Sequence, residues 1–258
     1  MKGTFVVGSL ACALFIAGCG GGGDGATVVT AAAVAPPEGT YSGTLTGGPN
    51  SFFELLALEN STYWTVYGNV AGSTFTVAGF QQGTATFRAD NTFSSVDSKD
   101  FGFSPARAAA VSGTFSAGAH TIAGTSTVAP TTVTFNGGPI ANSPYNYNVP
   151  AVNADINGAW TLLDNFGETL TLNISNVGVI GGTSNTGCNY AGTATPRASG
   201  KNVFDVSVTF GAAPCVLPGQ TVNGIGLDYL ITGTALRQLI VAVTDASRTN
   251  GLIAFGTR

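Results

Sequence analysis

The chain has 258 residues, of which 9% are charged and 37 are glycine, and its formal net charge is −4. This length suits one large domain or two small ones. The apolar residues are scattered among Thr, Ser, Ala and Asn, which favours many short strands joined by tight turns. Because the Lys and Arg residues are dispersed, we expect no nucleic-acid partner and no basic lipid-binding face.

Residues 1–18 have the layout of an export signal. Lys2 supplies the positive charge, Phe5 to Ile16 form an apolar stretch of twelve residues, and the small residues Ala17 and Gly18 follow. A transmembrane helix needs about 20 apolar residues, so this stretch predicts a signal peptide and not a membrane span.

The glycines Gly18, Gly20 and Gly23 formally match the G-x-G-x-x-G pattern of a dinucleotide-binding loop. Such a loop must connect a strand to a helix whose N-terminus faces the phosphates. Here a signal sequence precedes the glycines, Pro36 and Pro37 close the segment, and no acidic residue is placed to hold a ribose. We therefore expect no nucleotide at this loop, and nothing else in the sequence indicates a cofactor.

The tetrapeptide Ile16-Ala17-Gly18-Cys19 resembles the lipobox of bacterial lipoproteins. In that family the signal is cut before the cysteine, the thiol carries a diacylglyceryl group, and the new amine is acylated with a fatty acid such as palmitate. The resemblance implies lipidation of Cys19, whose two or three fatty chains would make a lasting membrane anchor. Gly20 stands where inner-membrane lipoproteins carry Asp, which implies the outer membrane, at its periplasmic face or at the cell surface. A cleaved secretory signal with an incidental cysteine is the alternative.

Residues 19–37 comprise the lipidated Cys and a Gly- and Ala-rich tether. Treated as a flexible coil, residues 20–36 have an r.m.s. span of roughly 20–25 Å. That reach would hold a domain clear of the lipid headgroups.

The four cysteines divide into three groups. Cys12 leaves with the signal and Cys19 is the lipidation site, so Cys188 and Cys215 remain as a pair. In an oxidising compartment such a pair predicts a disulfide bond. A metal site is the competing use, but zinc takes four ligands and His120 is the one histidine. We therefore expect no metal.

The rest of the chain predicts a first β domain over residues 38–148, a linker over 149–156 and a second β domain over 157–258. In the second half, apolar and polar residues alternate over Leu170–Ile174 and Phe204–Phe210, which indicates antiparallel strands with one buried face. In the first half, short strand-like segments recur at roughly 8 to 12 residue spacing between Gly, Pro or Asn turns. They are YWTVYGN, STFTVAGF, GTATFR, SGTFS, HTIAGTST and TTVTF.

Each half has room for roughly eight strands, so the predicted fold class is all-β, with two tandem small antiparallel β-barrel-like domains. The halves also begin alike, since Gly39-Thr40-Tyr41 and Gly158-Ala159-Trp160 each place an aromatic residue soon after a glycine. A pair of β-sandwiches is the alternative. An immunoglobulin-like sandwich would place a Trp between the two cysteines, whereas Trp160 precedes both.

Two further resemblances concern the mature chain. The second half is similar to the META domain of bacterial envelope and heat-shock lipoproteins, through Trp160, the turn Gly187-Cys188-Asn189-Tyr190-Ala191-Gly192 and Cys215. The whole chain, with YWTVYG, ASGKNVFDVSVTFGAAPC and the lipobox, resembles two-part envelope lipoproteins of Gram-negative bacteria that have no assigned activity. These likenesses imply a compact β fold and supply no chemistry.

Candidate catalytic groups are few. A Ser-His-Asp site would have to use His120, and no G-x-S-x-G motif presents a serine. Glycoside hydrolysis needs two carboxylates about 5 to 10 Å apart in a cleft, for which Glu54 with Glu59 is one candidate pair. The other candidates, in RADNTFSSVDSKDFG, are typical of a solvated turn region: Asp90, Asp97 and Asp100.

An aromatic cluster is the strongest candidate for ligand binding. Strand alternation sends Tyr63 and Tyr67 to one face of the sheet and Trp64 to the other. One hypothesis is that one of these faces lines the mouth of a barrel and binds an apolar ligand or a glycan. The alternative is that the aromatic residues are part of the core of the sheet.

These observations predict a membrane-anchored envelope lipoprotein with a binding, interaction or structural role and no catalytic activity. Its expected partners are the membrane, through the lipid on Cys19, and an envelope protein or a glycan. An envelope hydrolase that uses carboxylates on glycan or peptidoglycan is one alternative. A carrier of a small lipophilic ligand is another.

Overall fold

The alternating segments of the sequence form two closed antiparallel β-barrels in tandem, each of eight strands. The structure is a computed structural model that describes residues 31–72 and 74–258. The signal peptide, the lipobox with Cys19 and most of the predicted tether lie outside the described residues. The predicted all-β class and the tandem barrels are confirmed, and β-sandwiches are not formed.

The first barrel and its appended strands comprise β1 Ala33–Val34, β2 Gly39–Thr46, β3 Phe52–Ala57, β4 Thr62–Ala71, β5 Thr74–Thr84, β6 Thr86–Arg88, β7 Thr92–Asp100, β8 Arg107–Ser116, β9 Thr121–Val128 and β10 Thr131–Pro139. Successive strands pair as a meander, β10 returns to β2, and β7 pairs with both β5 and β8 to close the barrel. The short strands β6 and β1 extend from β7 at one end.

The second barrel follows a helical turn, α1 Asn153–Ile156, and comprises β11 Gly158–Asp164, β12 Thr169–Ile174, β13 Val179–Ser184, β14 Asn189–Pro196, β15 Phe204–Phe210, β16 Thr221–Leu230, β17 Arg237–Thr244 and β18 Gly251–Thr257. It is also a meander, closed between β11 and β18 through the register Leu163 to Phe255. Because neighbouring strands are consecutive in the chain, short turns suffice to connect them.

The two halves begin alike because each places a buried aromatic side chain near the start of its first strand, Tyr41 in β2 and Trp160 in β11. We call this end of each barrel the lower end and these two side chains the plugs. Tyr41 is fully buried and its hydroxyl donates to the carbonyl of Pro37 at 2.6 Å. Trp160 is 1% exposed and its indole N–H donates to the carbonyl of Ile156 at 2.7 Å. In each case the acceptor lies four residues earlier. The chain can turn inward between acceptor and donor because a glycine there has a positive φ, 123° at Gly39 and 119° at Gly158.

The two barrels pack side by side through a shared apolar cluster. Outward-facing residues of β3 to β5 meet outward-facing residues of β16 to β18, with two tyrosines of the connecting segment between them. The buried members are Leu56, Leu58, Trp64, Phe80, Phe101, Tyr145, Tyr147, Val203, Ile225, Ala242 and Ile253. At Gly251 a Cβ atom would lie 2.5 Å from the Phe101 ring, so glycine lets the barrels approach closely.

Ionic contacts reinforce this junction at its edge. Arg197 of the second barrel pairs with Glu59 of the first at 2.8 Å, and Lys201 pairs with Glu38 at 2.7 Å. Burial raises the pKa of Glu59, but hydrogen bonds from Tyr147, its own backbone N–H and Arg197 outweigh that effect and lower the pKa to about 2. The Glu59 carboxylate therefore stays ionised at neutral pH.

Two segments are more ordered than their composition predicted. Within the tether predicted over 19–37, Ala33 and Val34 form β1 against β6, and the N–H of Ala89 donates to the carbonyl of Ala32 at 2.9 Å. The open edge of β6 supplies the backbone partners that sequence composition does not reveal. Within the linker predicted over 149–156, α1 forms a single helical turn that leads into the plug residue Trp160.

A disulfide bond joins Cys188 and Cys215, 27 residues apart. Cys188 precedes β14 and Cys215 lies in the loop between β15 and β16, and both are nearly completely buried. Within the described residues, no helix is both long and apolar enough to cross a membrane.

We predict that replacing both cysteines, as Cys188→Ala with Cys215→Ala, lowers the free energy of unfolding by about 2–4 kcal/mol. The bond restricts the unfolded chain, and a closed loop of 28 residues corresponds to roughly 3.5 kcal/mol. Urea unfolding followed by circular dichroism measures the change, with reduced wild-type protein as the control. Two free thiols in the mass spectrum of non-reduced wild-type protein would contradict the prediction.

Candidate functional site

The first barrel encloses a cavity of about 320 Å³. Most of its lining is apolar, and the side chains come from every strand from β2 to β10, with the short strand β6 contributing only the Phe87 ring. Seven aromatic side chains take part: Phe53, Tyr63, Tyr67, Phe87, Phe93, Phe103 and Phe135. Ligand pockets in proteins commonly occupy about 300–1,000 Å³, so this cavity has the size for one small molecule.

The cavity exists because several inward positions of the first barrel carry small or polar residues. Ala57 and Ala85 face inward near the lower end, and Thr65, Gln81 and Ser126 face inward at mid-height. The interior of the second barrel is filled mainly by large aliphatic and aromatic side chains, and the cavity found inside it is only about 40 Å³. An eight-stranded barrel is just wide enough to be filled by side chains or to hold one small ligand. The second barrel is filled by its side chains, whereas the first leaves internal space.

The cavity opens at the upper end of the barrel. Its rim consists of the β2–β3, β7–β8 and β9–β10 connections, and Phe103 on this rim is 42% exposed. The Arg107 guanidinium lies over the Phe103 ring at 4.5 Å from the centroid. Arg107 is exposed to solvent, so the rim carries one positive charge.

The lower end is closed by the Tyr41 plug. The His120 ring stacks on Tyr41 at 4.1 Å between centroids, and His120 Nε2 is 3.0 Å from the carbonyl oxygen of Thr40. Burial raises the pKa of Tyr41 to about 12, so its hydroxyl remains a donor at neutral pH. His120 therefore packs against the plug, outside the described cavity lining.

A polar cluster crosses the wall of the cavity, centred on the carboxylate of Asp100. Tyr67 Oη donates to Asp100 Oδ1 at 2.5 Å and the N–H of Gly102 donates to the same oxygen at 2.8 Å. Gln81 Nε2 donates to Asp100 Oδ2 at 3.0 Å, and Ser126 Oγ donates to Gln81 Oε1 at 3.1 Å. Burial and the negative charge of Asp100 raise the pKa of Tyr67, which keeps its hydroxyl protonated.

Two glycines allow Tyr67 to reach Asp100. A Cβ atom at Gly102 would lie 2.1 Å from Tyr67 Oη, and one at Gly79 would lie 2.5 Å from it. Both distances are far shorter than real contacts. A register shift between β4 and β5 accompanies this arrangement, since Tyr67 pairs with Gly79 and Gly68 with Val77, which leaves Ala78 of β5 as the extra residue. The backbone is therefore shaped around the tyrosine hydroxyl.

The structure separates the three aromatic residues singled out in the sequence. Tyr63 and Tyr67 line the cavity, Tyr63 near its closed end and Tyr67 beside Asp100. Trp64 faces the opposite way and packs in the cluster between the barrels, stacked near Phe80. The alternation of β4 accounts for both placements, since neighbouring residues of a strand point to opposite faces.

The candidate carboxylates do not converge. Glu59 pairs with Arg197 at the junction of the barrels, Asp97 pairs with Arg248 at 3.3 Å, and Asp90 accepts hydrogen bonds from Thr92 in a turn. Asp100 is only 5% exposed, so its expected place in a solvated turn region was wrong. The strand β7 continues up to Asp100 and carries the side chain into the cavity.

Among the described residues that line the cavity, Asp100 is the one acidic side chain. Nowhere in the described part of the chain do three or more His, Cys, Asp or Glu residues gather as a metal site would require. No sequence motif indicated Gln81, which bonds Asp100 from 19 residues away, or Ser126, which bonds Gln81 from 45 residues away. The available signal was a pair of glutamines, Gln81 and Gln82, directly after the apolar stretch Val77–Phe80 of β5.

Comparison with known proteins adds little to this geometry. No family model matches the chain, and no curated protein matches it. One solved structure matches, that of a Nostoc punctiforme protein of unknown function from the DUF3598 family. Its sequence is 15% identical to this chain, the match covers 86% of this chain and 94% of that chain, and the TM-score is 0.25. A TM-score this low says nothing about a shared function.

We predict that Gly102→Ala lowers the free energy of unfolding by about 1–3 kcal/mol, because the added methyl group collides with Tyr67 Oη and forces the polar cluster apart. Gly118→Ala is the matched control. No atom lies within 4 Å of a Cβ at Gly118, so its effect should stay within about 0.5 kcal/mol. Urea unfolding of both variants measures the difference, and equal stability of the two would contradict the prediction.

Proposed function

We propose that the protein is a binding protein whose first barrel holds one small, mainly apolar molecule. The observation that carries the proposal is the cavity of about 320 Å³, lined by aromatic and aliphatic side chains and open at one rim. Among the roles considered from the sequence, this cavity favours the carrier of a small lipophilic ligand.

The contrast between the barrels supports this proposal. Both have eight antiparallel strands and an aromatic plug, yet only the second has a filled interior. Filling a cavity with apolar side chains normally adds stability. The first barrel forgoes this stabilisation, which is expected where the interior space has a use.

The chemistry of the cavity favours binding over hydrolysis. Hydrolysis of a glycosidic bond uses two carboxylates that face each other, and among the described lining residues Asp100 stands alone. His120 is stacked on the Tyr41 plug and is not among the described residues that line the cavity. A nucleophile with an adjacent base is therefore not assembled among the described residues of the cavity.

The proposal includes attachment to the outer membrane through lipid on Cys19. Its support is the lipobox resemblance of residues 16–19 and the charged and apolar signal before them. The strand β1 pairs with β6 near the closed end of the first barrel. An anchored chain would thus enter the barrel from the end opposite the rim, which leaves the rim free.

The ligand proposal predicts that N-phenyl-1-naphthylamine, a neutral apolar dye, binds with increased fluorescence. The protein from Gly20 onward is suitable, because it keeps the whole compact unit Ala31–Arg258 and needs no detergent. Val111→Trp should weaken binding about tenfold or more, since Val111 lines the cavity and is 7% exposed. Fluorescence titration measures the dissociation constants.

The matched control is Ala110→Trp on the same strand. Ala110 is exposed and faces away from the interior, so dye binding should be retained. Val111→Phe adds less volume and should act in the same direction if the tryptophan lowers stability. Absence of dye binding by the wild type, or equal binding by Val111→Trp and Ala110→Trp, would refute the proposed ligand site.

The anchor predicts that an alkyne analogue of palmitate labels the full-length protein in a Gram-negative host and that the protein fractionates with the outer membrane. Cys19→Ser should abolish the label and leave the uncut precursor. Cys12→Ser is the matched control, because Cys12 lies within the signal and should not affect lipidation. Persistent labelling of the Cys19→Ser variant would rule out this anchor.

A further inference from the structure

Asp100 places a negative charge beside an apolar cavity without a cation to balance it. Its side chain is 5% exposed, and the three hydrogen bonds it accepts come from the uncharged donors of Tyr67, Gly102 and Gln81. Across the described residues, none of the ion pairs includes Asp100. The neutral donors orient the carboxylate but leave its charge uncompensated.

A buried charge is costly unless an opposite charge or a full set of hydrogen bonds accompanies it. Asp100 Oδ1 already accepts two hydrogen bonds, whereas Oδ2 accepts one, from Gln81. A carboxylate oxygen has room for a further donor. The free capacity of Oδ2 therefore suits a donor brought by the ligand.

The remaining lining suits a positively charged group as well. Aromatic faces attract cations, and cages of aromatic residues bind organic ammonium groups. Tyr67 lines the cavity directly beside Asp100, and Phe53 and Phe93 line it together with Tyr67. Their rings also supply apolar contact for the rest of the ligand.

Arg107 is the charged residue that faces Asp100 across the strand pair β7–β8, in register with it. Its guanidinium stacks on Phe103 at the rim and makes no ion pair with Asp100. Because Arg107 is exposed, water and salt screen its charge. Asp100, which is buried, keeps the stronger influence on a ligand inside the cavity.

We infer that the first barrel binds organic cations, with a ligand ammonium group paired to Asp100 and the apolar part of the ligand held among the aromatic rings. This inference rests on the proposed function, since it names the ligand class of the same cavity. The class comprises primary or substituted amines that carry one small apolar chain or ring.

The test compares three competitors with the same tail, namely octylammonium, octanol and octanoate, in displacing N-phenyl-1-naphthylamine from the protein that begins at Gly20. Octylammonium should displace the dye at roughly 10- to 100-fold lower concentration than the other two, as expected for one charge-assisted hydrogen bond. Equal potency of the ammonium and the alcohol would overturn the inference.

Asp100→Asn should remove the preference for octylammonium over octanol, measured as the ratio of the two displacing concentrations in that variant, so that a change in dye affinity does not enter the comparison. The amide has the same shape as the carboxylate but carries no charge. Tyr67→Phe is the control at the same cluster, because it removes a neutral donor and keeps the charge, so the preference for the ammonium should persist. A preference that survives in Asp100→Asn would refute the pairing.

The variant Arg107→Gln tests the alternative that the cavity selects anions and not cations. If the cavity selects anions through Arg107, octanoate is the best competitor and Arg107→Gln abolishes its advantage, which would also refute the inference. Failure of the dye to bind wild-type protein refutes the proposed ligand site itself. Dye binding without selection for the ammonium refutes the inference alone.

Discussion

Closure of eight antiparallel strands fixes the radius of each barrel, and the rest of the structure depends on how that fixed interior is occupied. The second barrel fills it with aliphatic and aromatic side chains around the disulfide-linked Cys188. The first barrel places alanine at positions 57 and 85 and a glutamine at 81, and leaves a cavity. Side-chain size at a few inward positions therefore distinguishes the filled barrel from the barrel that keeps a cavity.

The polar cluster shows how the frame accommodates a buried charge. Asp100 ends β7, Gln81 lies opposite it on β5 and Tyr67 reaches it from β4, so three strands contribute to one wall. Gly79 and Gly102 supply the space for the tyrosine hydroxyl. The neutral donors orient the Asp100 carboxylate at the cavity surface and leave its charge without a cation. Rigid placement of a few polar groups in an apolar pocket is what gives small-molecule sites their selectivity.

Local pattern was sufficient to predict much of this fold. The alternation over Phe204–Phe210 predicted a half-buried strand, and that of β4 predicted the opposite orientations of Tyr63 and Trp64. Local pattern could not predict the cavity, because its volume depends on side chains from all eight strands of the barrel at once. Asp100 was misplaced for a related reason, since its partner Gln81 lies 19 residues away and nothing nearby distinguishes a buried strand end from a turn.

The Tyr41 plug has a consequence for exchange between the cavity and its surroundings. Among the described residues, the cavity lining reaches the connections at the upper end, whereas Tyr41 and His120 stack at the lower end. On the proposed function, a ligand would therefore enter and leave through the rim. The fraction of barrels that hold a ligand would then depend on the ligand concentration at the rim, and a second ligand molecule could enter only after the first had dissociated.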